Sequence, residues 1–405
     1  MIEGDSGRTP GYDRDQGAFD APEVGFWSQL AADVGTATLA FVCWRGVLFL
    51  FQMLGVSMTQ LNPVAQMDPA YAWKAFPNHE ALDSWVRWDA GWYQLIVTKG
   101  YAAKAGQSSV AFFPGFPLVT SALTKVIGNH WAAGLIVSNV SLLAALVYML
   151  RIARPMLGDD GSRRMMAYML AFPTSFFLSA YYSEGLFLLT TLASFHHYLS
   201  GRYARSAIWG ALATLTRPTG MALLMAYGLG TIWNLARGQV KFTPRMLWLS
   251  FIPAGLLTFM AMLYVKVGDP LAFIHAHGAW GRSSSLPFVP LIRALLDGDW
   301  TFPRNLVNTI TLMEAITGVI FLILPFFLLG KADISLPIYS WLLILIPLAT
   351  ANVKSLMRLE CVAFPAFLVL ARWGESRRVD RLIIFASALF LGFFTMQFAN
   401  WYWVG

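Results

Sequence analysis

What most constrains this chain is a near-continuous series of apolar runs joined by short polar connectors. The runs fall near 30–58, 131–151, 165–180, 184–199, 203–216, 218–236, 247–266, 307–329, 334–351, 358–371 and 382–400. A helix that crosses a bilayer needs ~20 mostly apolar residues. Several runs are shorter, or are broken by a proline or a charge, and read as kinked or incomplete spans packed against protein. On this pattern about eleven segments enter the membrane. Only 13% of residues are charged and 57% are hydrophobic, where a soluble domain carries ~25% charge. A soluble fold is excluded. The expected fold class is an all-α polytopic membrane protein. A single transmembrane domain covers 30–405, after a charged, Gly- and Asp-rich stretch, 1–29, read as a flexible cytoplasmic tail with no cleavable signal peptide.

The net charge of +7 would suggest nucleic acid for a soluble protein. Here the cations sit in connectors, so topology accounts for them and no nucleic-acid partner is expected. Arg151, Arg154, Arg163 and Arg164 read as one short loop. Arg202 and Arg205 follow on the same face, then Arg237, Lys241 and Arg245, and finally Arg372, Arg377, Arg378 and Arg381. That face is expected to be cytoplasmic, with the N-terminus inside and the C-terminus outside. The outer face then carries two long loops, about 59–130 and 267–306, and short connections at Tyr181–Glu184, Arg217–Gly220 and Ala351–Arg358. Long outer loops suggest that the work is done there. Cys43 and Cys361 support neither a disulfide framework nor a metal cluster. No internal repeat is visible, which counts against an inverted-repeat transporter.

Five clusters could carry chemistry. In Trp85-Val86-Arg87-Trp88-Asp89-Ala90-Gly91-Trp92-Tyr93, a helical reading puts Trp85, Trp88 and Trp92 on one face. Such a face would lie in the headgroup layer, with Asp89 projecting toward Tyr93. Asp89 is then either a solvated residue of an amphipathic helix or a general base. Transfer of sugar from a polyprenyl phosphate needs one carboxylate, because the phosphate leaves without a general acid, whereas glycosidases need two. In Phe112-Phe113-Pro114-Gly115-Phe116-Pro117 the prolines are expected to bar a helix before Pro117. Its aromatics form either a slot for a lipid chain or sugar face, or an interfacial turn.

Glu184 follows Tyr181-Tyr182-Ser183 between two apolar runs. It is either a helix cap or an acid in need of a partner. Arg217, ahead of Pro218-Thr219-Gly220, is suited to phosphate and alternatively to pairing with Glu184 or Glu314. Lys354 and Arg358 are outer-face cations that run against the positive-inside bias, with Arg282 a weaker case. Arg45, within the first run, is expected to form a structural pair, with Glu314 as the candidate partner. His275 and His277 supply two ligands, too few for a metal site.

Taken together, Arg87 through Tyr93, Gly100-Tyr101, Phe112 through Pro117, Pro173 through Glu184, Arg217 through Gly220 and Arg358 resemble the GPI mannosyltransferase II (PIG-V-like) family, in family order over 85–365. The resemblance implies a GT-C-type helix bundle with long extracytoplasmic loops. It implies hexose transfer from a polyprenyl-phosphate donor with inversion, mannose in characterised members, to a lipid or glycan acceptor. Asp89 becomes the catalytic base. Arg87, Trp88, Trp92, Tyr93, Phe113, Tyr182, Glu184, Arg217 and Arg358 become substrate-binding residues, with no metal ligand among them. No cofactor is required, and a divalent cation is optional. Membrane lipids and a small membrane subunit are further candidate partners. The compact length points to a bacterial plasma-membrane homologue, or to the endoplasmic reticulum in a eukaryote. The competing reading is a transporter or flippase of lipid-linked sugars, which would need no base.

Overall fold

The computed structural model describes residues 23–63, 74–102, 108–296 and 306–404. Most of the expected tail, residues 1–22, lies outside the described residues, as do parts of both long outer loops. The described residues form helices and turns, with no strand among them. In chain order the helices are α1 (Glu23–Met58), α2 (Ala90–Lys99), α3 (Gly115–Ile127), α4 (His130–Ala171), α5 (Glu184–Leu199), α6 (Tyr203–Thr216) and α7 (Met221–Ala236). They continue as α8 (Ala254–Val267), α9 (Phe288–Leu296), α10 (Leu306–Ile323), α11 (Ser335–Leu348), α12 (Leu356–Glu360), α13 (Phe364–Trp373) and α14 (Arg377–Ala399). Single helical turns lie between several of them.

Five helical stretches among the described residues are long and apolar enough to cross a membrane: Gly25–Met58, His130–Ala171, Pro244–Val267, Thr309–Leu328 and Arg377–Ala399. The count of about eleven spans is therefore not met by length. The central α5 shows why. Its 16 residues reach about 24 Å at 1.5 Å per residue, short of a ~30 Å hydrocarbon core. Nearly all of its side chains are buried, so protein rather than lipid surrounds it. Lipid-facing surface falls instead on α1 and α14, where Leu39, Val42, Leu50, Leu382, Phe385 and Leu389 are exposed. The interior is built from α4, α5 and α6 packed in sequence, with α1 and α13 against α4, and α14 against α1.

Several local expectations are corrected. The first helix begins at Glu23, inside the stretch read as tail. The arginine-rich connector 151–164 is helical: α4 runs through it and breaks at Gly158 (φ 69°, ψ −176°). Straight, its 42 residues would reach about 63 Å, twice a bilayer core, so a break is required. Arg151 and Arg154 are drawn off the expected loop by Asp33 of α1, at 3.3 and 2.6 Å. The two prolines of the aromatic motif do not delay α3, which starts at Gly115. Pro117 falls in the first turn, where a missing N–H costs nothing. Arg45 does not pair with Glu314. It stacks on Trp85 at 4.4 Å and donates to Ser179 Oγ at 2.8 Å, because α1 packs on the turn after α4, while Glu314 on α10 accepts from Ser355 N at 2.6 Å.

Candidate active site

The expected tryptophan stripe does not form. A short helical turn ends at Asp83, α2 starts only at Ala90, and Trp88 between them is left-handed at φ 53°. That conformation is costly for a bulky residue and persists only where its surroundings enforce it. It sends the three indoles apart. Trp85 is buried under Arg45. Trp88 packs edge-on to Trp401 and Trp403 at 5.9 and 5.6 Å. Trp92 stacks on Phe112 at 5.9 Å and meets Trp280 at 6.1 Å.

What holds the strained turn is Tyr182. Its hydroxyl donates to the Arg87 carbonyl at 2.9 Å and accepts from Asp89 N at 3.2 Å. The turn is also fastened from the other side, since Tyr181 N donates to the Trp85 carbonyl at 3.0 Å. Asp89 is thereby placed immediately before α2, with no side-chain bond to the helix's first turn, and its Oδ2 accepts from Arg358 Nη1. Tyr93 instead shares a 2.8 Å hydrogen bond with Ser183 Oγ.

Three more charged side chains reach the same point from distant parts of the chain. Glu184 opens α5 and is completely buried. Arg217 follows the last residue of α6 in extended backbone. Arg358 comes from α12. Both guanidiniums bind Glu184 Oε1, Arg217 through Nη1 and Arg358 through Nε. Arg358 Nη1 reaches on to Asp89 Oδ2 at 2.7 Å, and Arg217 Nη1 to Ser183 Oγ at 3.3 Å. Arg358 lies over the ring of Tyr182 at 4.8 Å and near that of Phe177 at 5.2 Å. The four formal charges cancel, which is what lets them be buried together. Within the quartet, Asp89 and Arg217 keep side-chain exposures of 20% and 16%, against 6% for Arg358 and none for Glu184. Glu184 Oε2 is buried without a hydrogen-bond partner among the described residues.

The backbone makes room for this convergence at two glycines. A Cβ on Gly185 would lie 2.5 Å from the Leu178 carbonyl and 2.7 Å from that of Ser138, so α5 can start this close to α4 only without a side chain there. A Cβ on Gly115 would lie 2.5 Å from Thr216 Oγ1, which is why the aromatic motif can press on the end of α6 beside Arg217.

Of the expected site residues, Asp89, Tyr182, Glu184, Arg217 and Arg358 come together, with Tyr93 behind them. Arg87 does not join. It is buried on Asp83 (2.8 Å), the Ala399 carbonyl (3.3 Å) and the face of Trp401 (4.8 Å), and braces the turn from below. Trp88 faces the C-terminal tryptophans. Phe113 belongs to a separate aromatic cluster with Phe259 and Phe273. Trp280 escaped the sequence reading, and Ser183 was read there only as part of the motif before Glu184. Nothing in the local sequence around Trp280 predicts that it meets Trp92 and Phe112, the latter at 6.0 Å. Arg282 proves the better placed of the secondary cations. It donates to Thr350 Oγ1 at 2.9 Å. Burial, with Arg358 and Arg217 nearby, lowers its pKa, opposed by Asp89 and Glu314. Among the described residues no group of three His, Cys, Asp or Glu side chains is placed to hold a metal ion.

No curated protein matches the chain. Among solved structures it is similar to ArnT from Cupriavidus metallidurans bound to undecaprenyl phosphate (15% identity, 82% of this chain and 61% of that one, TM-score 0.42). It is also similar to the Archaeoglobus fulgidus oligosaccharyltransferase in the apo form (11% identity, 89% of this chain and 56% of that one, TM-score 0.43). The chain thus spans 61% and 56% of the lengths of those two chains. The sequence profile of a mannosyltransferase family, PIG-V, matches residues 38–267. That is more than half of the chain, and it takes in Asp89, Glu184 and Arg217 while ending before Arg358. With the matched span and the charged quartet built largely within it, the chain is a member of the mannosyltransferase (PIG-V) family.

Proposed function

We propose that this membrane protein is a mannosyltransferase-like hexosyltransferase that transfers sugar from a polyprenyl-phosphate donor to a hydroxyl of a lipid or glycan acceptor, with inversion, on the extracytoplasmic face. The observation that carries the reading is the convergence of Asp89, Glu184, Arg217 and Arg358 from four separate segments on one partly open point. A buried quartet with one unsatisfied carboxylate oxygen and two partly exposed ends is suited to a polar ligand.

The step balances as a single displacement. The acceptor oxygen attacks the sugar's anomeric carbon as the bond from that carbon to the phosphate oxygen breaks. The hydroxyl proton passes to Asp89. The electron pair leaves with the polyprenyl phosphate, whose growing charge faces Arg217 and, beyond it, Arg358 and Arg282. Guanidiniums already fixed by Glu184 and Thr350 need no reorganisation as that charge develops. Glu184 Oε2 would accept from a sugar hydroxyl and so satisfy its missing bond. Trp92, Phe112 and Trp280 offer apolar ring faces beside Asp89 for the sugar or for isoprenoid carbons.

The test is radiolabelled hexose transfer by the purified chain, given polyprenyl-phosphate mannose and a membrane lipid extract, beside Asp89→Asn. Labelled product is expected from the native chain, with a ~10²–10⁴-fold loss in the variant, the usual contribution of a general base. Equal turnover by Asp89→Asn would remove Asp89 as base. Donor movement across vesicles without any transfer would replace the enzyme with a flippase.

A further inference from the structure

At the far end of α5 and α6 from Asp89, a second polar feature is built from residues that the proposed transfer does not use. Gly201, Arg202, Tyr203, Ala204 and Arg205, at the turn into α6, line an open hollow of about 550 Å³ with Arg245 and Trp248 of the helical turn Pro244–Phe251. That size lies within the range of small-ligand sites, ~300–1,000 Å³. Three of the seven lining residues are arginines and none is a carboxylate. The α6 helix separates this cavity from Arg217 by its 14 residues, about 21 Å.

The surroundings decide what kind of anion fits. Leu247, Trp248 and Phe251, on the segment that carries Arg245, are exposed, as is Ile208 one turn along α6 from Ala204. More than half of each of these residues is exposed, and the same segment leads into a stretch, Pro244–Val267, long and apolar enough to cross the membrane. A cationic hollow with an apolar margin matches an amphiphile, with its phosphate among the guanidiniums and its chains along the indole and the aliphatic residues. A soluble phosphate would use the first part and leave the second unexplained.

We infer that Arg202, Arg205, Arg245 and Trp248 form a binding site for the phosphate head of an anionic phospholipid, at the membrane face opposite the Asp89 quartet. The test is native mass spectrometry of the full chain released from micelles doped equally with phosphatidylglycerol and phosphatidylcholine. The native chain is expected to retain phosphatidylglycerol preferentially. The double variant Arg205→Gln/Arg245→Gln should lose that preference by at least tenfold, a change of ~1.4 kcal/mol. Arg205→Lys/Arg245→Lys should keep much of it with an unchanged unfolding temperature, which separates ligand loss from misfolding. Arg377→Gln/Arg378→Gln removes two exposed cations from the start of α14 and should leave binding intact. Equal retention of both lipids, or equal loss in the α14 variant, would reduce the feature to unspecific charge and overturn the site. Displacement of the lipid by inorganic phosphate alone would reassign it to a soluble anion and overturn the lipid assignment.

Discussion

Glu184 holds two guanidiniums with one oxygen while its other oxygen is unsatisfied. Removing the negative charge would leave two buried cations facing each other. Glu184→Gln should therefore lower stability by about 3–5 kcal/mol, as when one partner of a buried pair is lost, read as a fall in the midpoint of thermal unfolding in detergent. Tyr182→Phe acts differently. It removes the hydroxyl that ties Arg87 O to Asp89 N and frees the strained turn at Trp88. About 1–3 kcal/mol of lost hydrogen bonding and desolvation is expected. In the transfer assay, activity should drop while the chain still elutes as a folded species. Survival of full activity would show that the turn holds Asp89 without help. That Glu184 and Arg217 need partners was legible in the sequence, because an ionised group between apolar runs demands a reason, whereas Asp89 and Arg358 stood out through motif and topology. Which carboxylate each arginine chooses was not, since that depends on packing across 174 and 269 residues of chain. For the same reason Arg87, next to Asp89 in sequence, turns out to be a brace.

At the scale of elements, the site depends on short helices that are unstable alone and are set by their neighbours. The five-residue α12 begins after Ser355, left-handed at φ 68°, whose N–H is taken by Glu314, and Thr174 Oγ1 binds the Met357 carbonyl at 2.8 Å. The carboxylate of α10 thus positions the arginine of α12. The crossing of α4 and α5 at Gly185 leaves no room for a side chain. Gly185→Ala should cost about 1–3 kcal/mol through overpacking against two carbonyls, seen as reduced yield of monodisperse protein and a lower unfolding midpoint. A neutral outcome would mean that α5 can shift without loss. Apolar periodicity located most helices. It misplaced the start of α1, split α4 in two at a supposed loop and drew Trp85, Trp88 and Trp92 onto one helix. In each case the sequence pattern was ambiguous between helix and turn, and a tertiary partner such as Asp33 or Tyr182 decided it.

For the whole molecule, the quartet and the cationic cavity sit at opposite ends of α5 and α6, so the bilayer lies between them if α5 and α6 run across it. From the excess of arginine around 202–205, 237–245 and 372–381 we propose that the cavity end faces the cytoplasm. In a background with Cys43→Ser and Cys361→Ala, a cysteine at Lys354 should react with a membrane-impermeant maleimide from outside, and one at Arg378 only after permeabilisation. Both positions are exposed, so the reversed pattern would place the transfer site in the cytoplasm.

The brace beneath Asp89 has a consequence in time. Arg87 and Trp88 are completed by Ala399, Trp401 and Trp403, and the Ala399 carbonyl is made 312 residues after Arg87. At ribosomal speeds of ~5–20 residues per second, the first loop waits roughly 15–60 s for its last supports. During that interval a nascent chain can hold Asp89 on the membrane surface with its foundation missing. Truncation before Ala399 would remove the carbonyl and the indoles that brace Arg87 and Trp88, and would leave the turn that carries Asp89 without that support.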